Sequence, residues 1–200
     1  YNKNIYFGIN LNSHFINYER STYLFEENTN ANSTINQVDF ENSLLTIGNG
    51  FSLQLGGIFK INDLIRIGLT YDSPTWLTLR EETTQYLSTI NDLDGTQTIV
   101  NPAVINVFPD YKLRTPAKIT GSAAFIIGKT GLFSIDYSRK DFSNTQFKSN
   151  ERSGYVQQNS IIGNTLKVAN TLRIGAEVRL KSMSYRGGYK FEQSPYINTS

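Results

Sequence analysis

The sequence predicts an all-β chain, part of an antiparallel transmembrane β-barrel. Three observations carry this expectation. Apolar residues recur with a period of two in nearly every ordered stretch. Long and short connections alternate along the chain. The positions opposite the apolar ones hold Gly, Ser, Thr and single charges, rather than the Lys and Glu of a solvated exterior.

The elements follow in order. Ile5, Phe7, Ile9 and Leu11 share one face of the first strand, against Tyr6, Gly8, Asn10, Asn12 and His14. Leu45, Ile47, Phe51, Leu53, Leu55 and Phe59 oppose Thr46, Gly48, Gly50, Ser52, Gln54 and Gly56. Ile65, Ile67, Leu69 and Tyr71 oppose Arg66, Gly68, Thr70 and Asp72. Ile119, Ala123, Phe125 and Ile127 then oppose Lys118, Thr120, Ser122 and Ala124, and Phe133, Ile135 and Tyr137 oppose Ser134, Asp136 and Ser138. In the last hairpin Leu172, Ile174, Ala176, Val178 and Leu180 oppose Arg173, Gly175, Glu177 and Arg179. After a turn at Lys181 and Ser182, Met183, Tyr185, Tyr189 and Phe191 oppose Ser184, Arg186, Gly188 and Lys190. That makes about seven strands. Residues 21–42, 81–113 and 143–165 read as long polar links, and 60–63, 128–131 and 181–182 as tight turns.

In an up-and-down meander this alternation puts the tight turns at one end and the long loops at the other. Short periplasmic turns and long external loops are the habit of outer-membrane barrels, whose strands cross in about 9 to 11 residues. The apolar face then meets lipid and the polar face lines a lumen. Arg or Lys on the lipid side at the midplane would cost roughly 2 to 4 kcal/mol, and the strand centres carry none there. A soluble sandwich or a lipocalin-like barrel also alternates, but points its apolar face inward.

Composition narrows the function. With 200 residues, no cysteine and a net charge of +2, disulfide frameworks, thiolate metal sites and a clustered nucleic-acid footprint are excluded. Twelve Tyr and 12 Phe against 1 Trp suit strands and interfacial aromatic girdles. No nucleophile elbow or paired-carboxylate motif is present, so no catalytic residue, enzyme activity or cofactor is expected. His14, the single histidine, cannot build a metal site alone. The expected lumen network comprises His14, Arg66, Asp136, Arg173, Glu177 and Arg186, because a sheltered carboxylate needs a partner. Val104, Ile105, Val107 and Phe108 cluster within the longest link and are the candidate site for first capture of a greasy ligand.

Three blocks in order resemble the FadL/TodX family of outer-membrane transporters for hydrophobic compounds. They are GNGFSLQLGGIFKINDLIRIGLTYDSP at 48–74, with Arg66, Gly68, Tyr71, Ser73 and Pro74, LRTPAKITGSAAFIIGKTGLFSIDYS at 113–138, and 170–196, with Arg173, Gly175, Glu177, Arg186, Gly188 and Tyr189. The resemblance implies a 14-stranded barrel plugged by an N-terminal hatch, with passive uptake of long-chain fatty acids or aromatic hydrocarbons. Residues 1–200 are then expected to be part of one transmembrane barrel domain, without the hatch or the closing strands. The alternative is a barrel-anchored accessory or shuttle subunit of a secretion complex, whose loops bind a partner protein. Outer-membrane lipid is the expected surrounding, and the long loops are expected to be extracellular. The purified protein should need detergent, and its unheated form should migrate differently from its boiled form on a gel. Identical migration of the two forms would argue against a barrel.

Overall fold

The computed structural model describes residues 4–29, 34–91, 95–101, 104–149 and 154–197. The chain divides into two compact units, one of Tyr1–His14, Gly50–Leu77 and Lys112–Ser200, the other of Phe15–Asn49 and Thr78–Tyr111. The strands are β1 Ile5–Glu27, β2 Ile35–Lys60, β3 Ile65–Asp72, β4 Trp76–Asn91, β5 Gln97–Val100, β6 Asn106–Val107, β7 Tyr111–Arg114, β8 Lys118–Ile127, β9 Gly131–Asp141, β10 Gln146–Lys148, β11 Val168–Leu180 and β12 Met183–Glu192. A short 3-10 turn covers Phe142–Asn144, and one helix, α1, covers Val156–Thr165.

In the first unit β2, β3, β8, β9, β11 and β12 neighbour one another in that order. The register keeps like faces together. Leu55 lies opposite Tyr71, Leu69 opposite Gly121, Ile135 opposite Ile174, and Val178 opposite Tyr185. The apolar positions are odd through β9, even in β11 and odd again in β12. The odd positions of β9 pair with the even positions of β11, so the face is conserved although the numbering switches.

The faces are inverted relative to a water-soluble sheet. Leu69, Ile119, Ile127 and Tyr137 are 51 to 63% exposed. On the polar side Ser52 is 8% exposed, and the Glu177 side chain 16%. Among the described residues the only buried apolar side chains are Leu79, Ala169 and the prolines Pro74 and Pro116. There is no apolar core to drive collapse in water. Such an exposed apolar face is stable where acyl chains replace water, and the soluble alternatives, which need it turned inward, do not fit.

The three tight turns hold for separate reasons. The Asn62 side chain accepts hydrogen bonds from the backbone N–H of Leu64 and Ile65, at 2.9 and 2.8 Å, closing the β2–β3 turn. Gly128 takes φ +56 between β8 and β9. Lys181, φ 54, does the same between β11 and β12 with a side chain in place.

The long links are not loops throughout. Residues 21–42, expected as a polar link, are mostly the far ends of β1 and β2. These strands have 23 and 26 residues, more than twice what a bilayer crossing needs. Residues 81–113 contain most of β4, all of β5 and β6, and the start of β7. Residues 143–165 contain β10 and α1. Polar residues can form strands once a neighbouring ladder satisfies their backbones, which composition does not register. The Asn159 side chain on α1 imitates a strand partner. It accepts from the Phe147 N–H and donates to the Phe147 carbonyl, both at 2.8 Å, and so covers part of the edge of β10.

Strand glycines set close approaches. A Cβ on Gly50 would sit 2.8 Å from the Trp76 carbonyl oxygen and collide with the Leu77 side chain, whereas one on Gly121 would meet nothing within 4 Å. Gly50→Ala should therefore cost about 1 to 3 kcal/mol from overpacking, read as a lower temperature for loss of the unheated gel form. Gly121→Ala should leave that temperature unchanged.

Candidate functional site

The polar face of the first unit carries several of its ionisable groups in pairs. Glu177 accepts from Arg179 Nε at 2.7 Å and from Arg186 Nε at 3.0 Å. Asp136 lies directly opposite Arg173 across β9 and β11. His14 Nε2 hydrogen-bonds Ser52 Oγ at 2.8 Å. Arg66 lines a cavity of about 550 Å³ with Glu177, Arg179 and the 128–132 turn. The six residues expected as one lumen network thus fall into local groups: Glu177 with Arg186, Asp136 facing Arg173, His14 with Ser52, and Arg66 beside the Glu177 cavity.

A second cavity arises where neighbouring strands break at one level. Beyond the Asp72–Lys118 and Lys118–Lys140 register pairs, β3 stops at Ser73-Pro74-Thr75, β8 is preceded by Thr115-Pro116-Ala117, and β9 runs into the 3-10 turn. On the far side β7 and β10 resume pairing at Arg114 and Gln146. Proline has no N–H to give the ladder. Side chains repair the gap. Ser73 Oγ accepts from the Leu53 N–H at 2.8 Å, and Thr115 Oγ1 accepts from the Thr75 N–H at 2.9 Å. Asp141 accepts from the Ser143 N–H at 3.2 Å and caps the turn. The resulting cavity, of about 240 Å³, is lined by Asn12, Ser52, Gln54, Asp72, Lys118 and Lys140 among others.

Sequence reasoning placed Lys118 and Asp72 on the polar face but did not bring them together, and Lys140 was not singled out. The readable signal was the pair of proline-containing breaks, Ser73-Pro74 and Thr115-Pro116, flanking strands that prove to be neighbours. A second missed signal is the partition of charge. The second unit has 2 Arg and Lys against 10 Asp and Glu, and the first has 17 against 7, giving −8 and +10 within a chain of net +2.

Val104, Ile105, Val107 and Phe108 lie in the second unit and are all exposed, at 47 to 58%. Asn106–Val107 pairs with Glu82 and Thr83 of β4, and the Phe108 N–H donates to the Glu81 carbonyl at 2.9 Å. The backbone of this segment is therefore anchored while its apolar side chains stay free.

No protein-family model and no curated protein matches the chain. Among solved structures it is similar over its whole length to one described as the CymD monoaromatic hydrocarbon channel, with 14% identity and a TM-score of 0.55. It covers 57% of that chain. A second similar structure is the Ralstonia pickettii toluene transporter TbuX, with 15% identity, a TM-score of 0.47, and coverage of 94% of this chain and 57% of that one. The chain thus spans a little over half the length of each. The likeness to CymD is one of fold. It places the chain in the architecture of an outer-membrane β-barrel, in keeping with the FadL/TodX-type resemblance of the sequence.

Because Glu177 bridges two arginines from adjacent strands, Glu177→Gln should lower the thermal stability of the detergent-solubilised protein. The loss should shrink as salt rises, since these groups are partly open to solvent. A loss that does not depend on salt would show that packing, not charge, carries the effect.

Proposed function

We propose that the chain forms part of a passive channel for hydrophobic small molecules in a bacterial outer membrane. The observation that carries this reading is the exposed apolar face of the sheet, set against a polar face on which Ser52, Asp72 and Glu177 are sheltered. The fold likeness to a hydrocarbon channel supports it. The long loops and the far ends of β1 and β2 are the extracellular side, and the three tight turns the periplasmic side.

In this mechanism Val104, Ile105, Val107 and Phe108 take a ligand from water at the outer end. Four anchored, exposed apolar side chains offer a surface from which a greasy molecule displaces water at no cost in chain ordering. The ligand then moves down its gradient along the lumen, where His14, Arg66, Asp136, Arg173, Glu177 and Arg186 hold the wall together without binding it. No energy source is needed.

Val107→Asp with Phe108→Asp should reduce initial uptake of toluene by proteoliposomes of the full-length protein roughly thirtyfold, since each removes about 1 kcal/mol of apolar contact. The unheated gel form should be unaffected. Undiminished uptake would remove the capture role from this segment.

A further inference from the structure

Arg139 is a cation on the greasy side of its strand. In β9 it follows Phe133, Ile135 and Tyr137 at spacings of two, so it shares their apolar face, and it is exposed there. Across the ladder it lies opposite Ile119 on β8 and Asn170 on β11, and Ile119 lies opposite Tyr71 on β3. This row closes the apolar band at its outer end, where interfacial Tyr side chains belong and an Arg costs little. The guanidinium is unspent. It makes no ion pair among the described residues. Asp141, two residues on and on the same face, accepts from the Ser143 N–H and hydroxyl through Oδ1 and from Asn144 Nδ2 through Oδ2. Asn170 Oδ1 is buried without a donor, so Arg139 does not serve it either. Beside Asn170, Gln193 Oε1 accepts from the Asn170 N–H and Nδ2 at 3.2 and 2.9 Å, which leaves the exposed Gln193 amide with donors to spare among the described residues.

Toward the middle of the same face an apolar bay of about 520 Å³ opens, lined by Ile67, Leu69, Gly121, Ala123, Ile135 and Tyr137 among others. It exists because small residues of β8 stand between large ones. Gly121 lies between Leu69 and Tyr137, and Ala123 between Ile67 and Ile135. We infer that Arg139 and this bay together hold one phosphorylated lipid of the outer leaflet, with its phosphate on Arg139 and an acyl chain in the bay. The inference rests on the sidedness given above, not on transport. A guanidinium fork matches phosphate oxygens in pairs, and the Gln193 amide adds a neutral donor. Below the head group only carbon is needed, and the bay offers little else. Its volume falls within the roughly 300 to 1,000 Å³ of small-molecule sites. A head group without an acyl chain would find half a site, and a neutral lipid would leave Arg139 unpaired.

The test is native mass spectrometry of the full-length protein in non-ionic detergent, titrated with lipid A, a phosphorylated glycolipid, and with its dephosphorylated form. The native protein should bind the phosphorylated form roughly tenfold more tightly, as expected for one charge-assisted contact. Arg139→Gln should abolish that preference and keep the unheated gel form, Arg139→Lys should retain part of it, and Lys129→Gln, in the turn at the opposite end of β9, should retain it all. Gly121→Leu, which fills the bay, should weaken both lipids alike. Equal affinity of the native protein for the two lipids overturns the inference. So does an equal loss of both in Arg139→Gln, the mark of a structural role, or undiminished binding in Gly121→Leu. Displacement of the lipid by inorganic phosphate overturns it too, since a simple anion site would then suffice. Sidedness is read separately, by labelling Val104→Cys in intact cells with a membrane-impermeant maleimide. Absence of labelling overturns the sidedness and with it the choice of leaflet, whereas labelling without a phosphate preference overturns the lipid site alone.

Discussion

Where the surroundings are hydrocarbon, each backbone N–H and C=O must find its partner within the protein. That requirement organises the whole chain. It explains why β3, β8, β9 and β11 are each laddered to a neighbour on both sides. It also explains why the proline breaks are patched by Ser73 and Thr115. None of these contacts is large alone. Together they replace the apolar core that a soluble domain of this size would build.

The same constraint shapes the polar face. The sheltered carboxylates there are paired across strands, Glu177 with Arg186 and Asp72 with Lys118 and Gln54. Against that background Arg139 stands out on the apolar face, because the carboxylate beside it, Asp141, is spent on the 3-10 turn.

Much of this was legible in the residues. The period of two marked the parts of β1, β2, β3, β8, β9, β11 and β12 that carry apolar side chains, and the tight turns fell where Asn-Asp, Gly-Lys-Thr-Gly and Lys-Ser stand. The rest was hidden for physical reasons. Most of β4 beyond Leu79 reads as Arg, Glu, Thr and Gln, and such a stretch becomes a strand only because a neighbour completes its ladder. The cavity near Lys140 depends on breaks in neighbouring strands falling at one level, a coincidence of register that no single stretch announces. The opposed charges of the two units vanish in a net of +2.

The near absence of buried apolar side chains has an evolutionary side. In a packed interior, exchanging Leu for Ile or Phe leaves a hole or a clash. Side chains that press against a fluid leave neither, because the fluid flows in. Only greasiness has to be kept, so the outer wall is free to drift. A fold shared with a hydrocarbon channel at 14% identity is what such freedom permits.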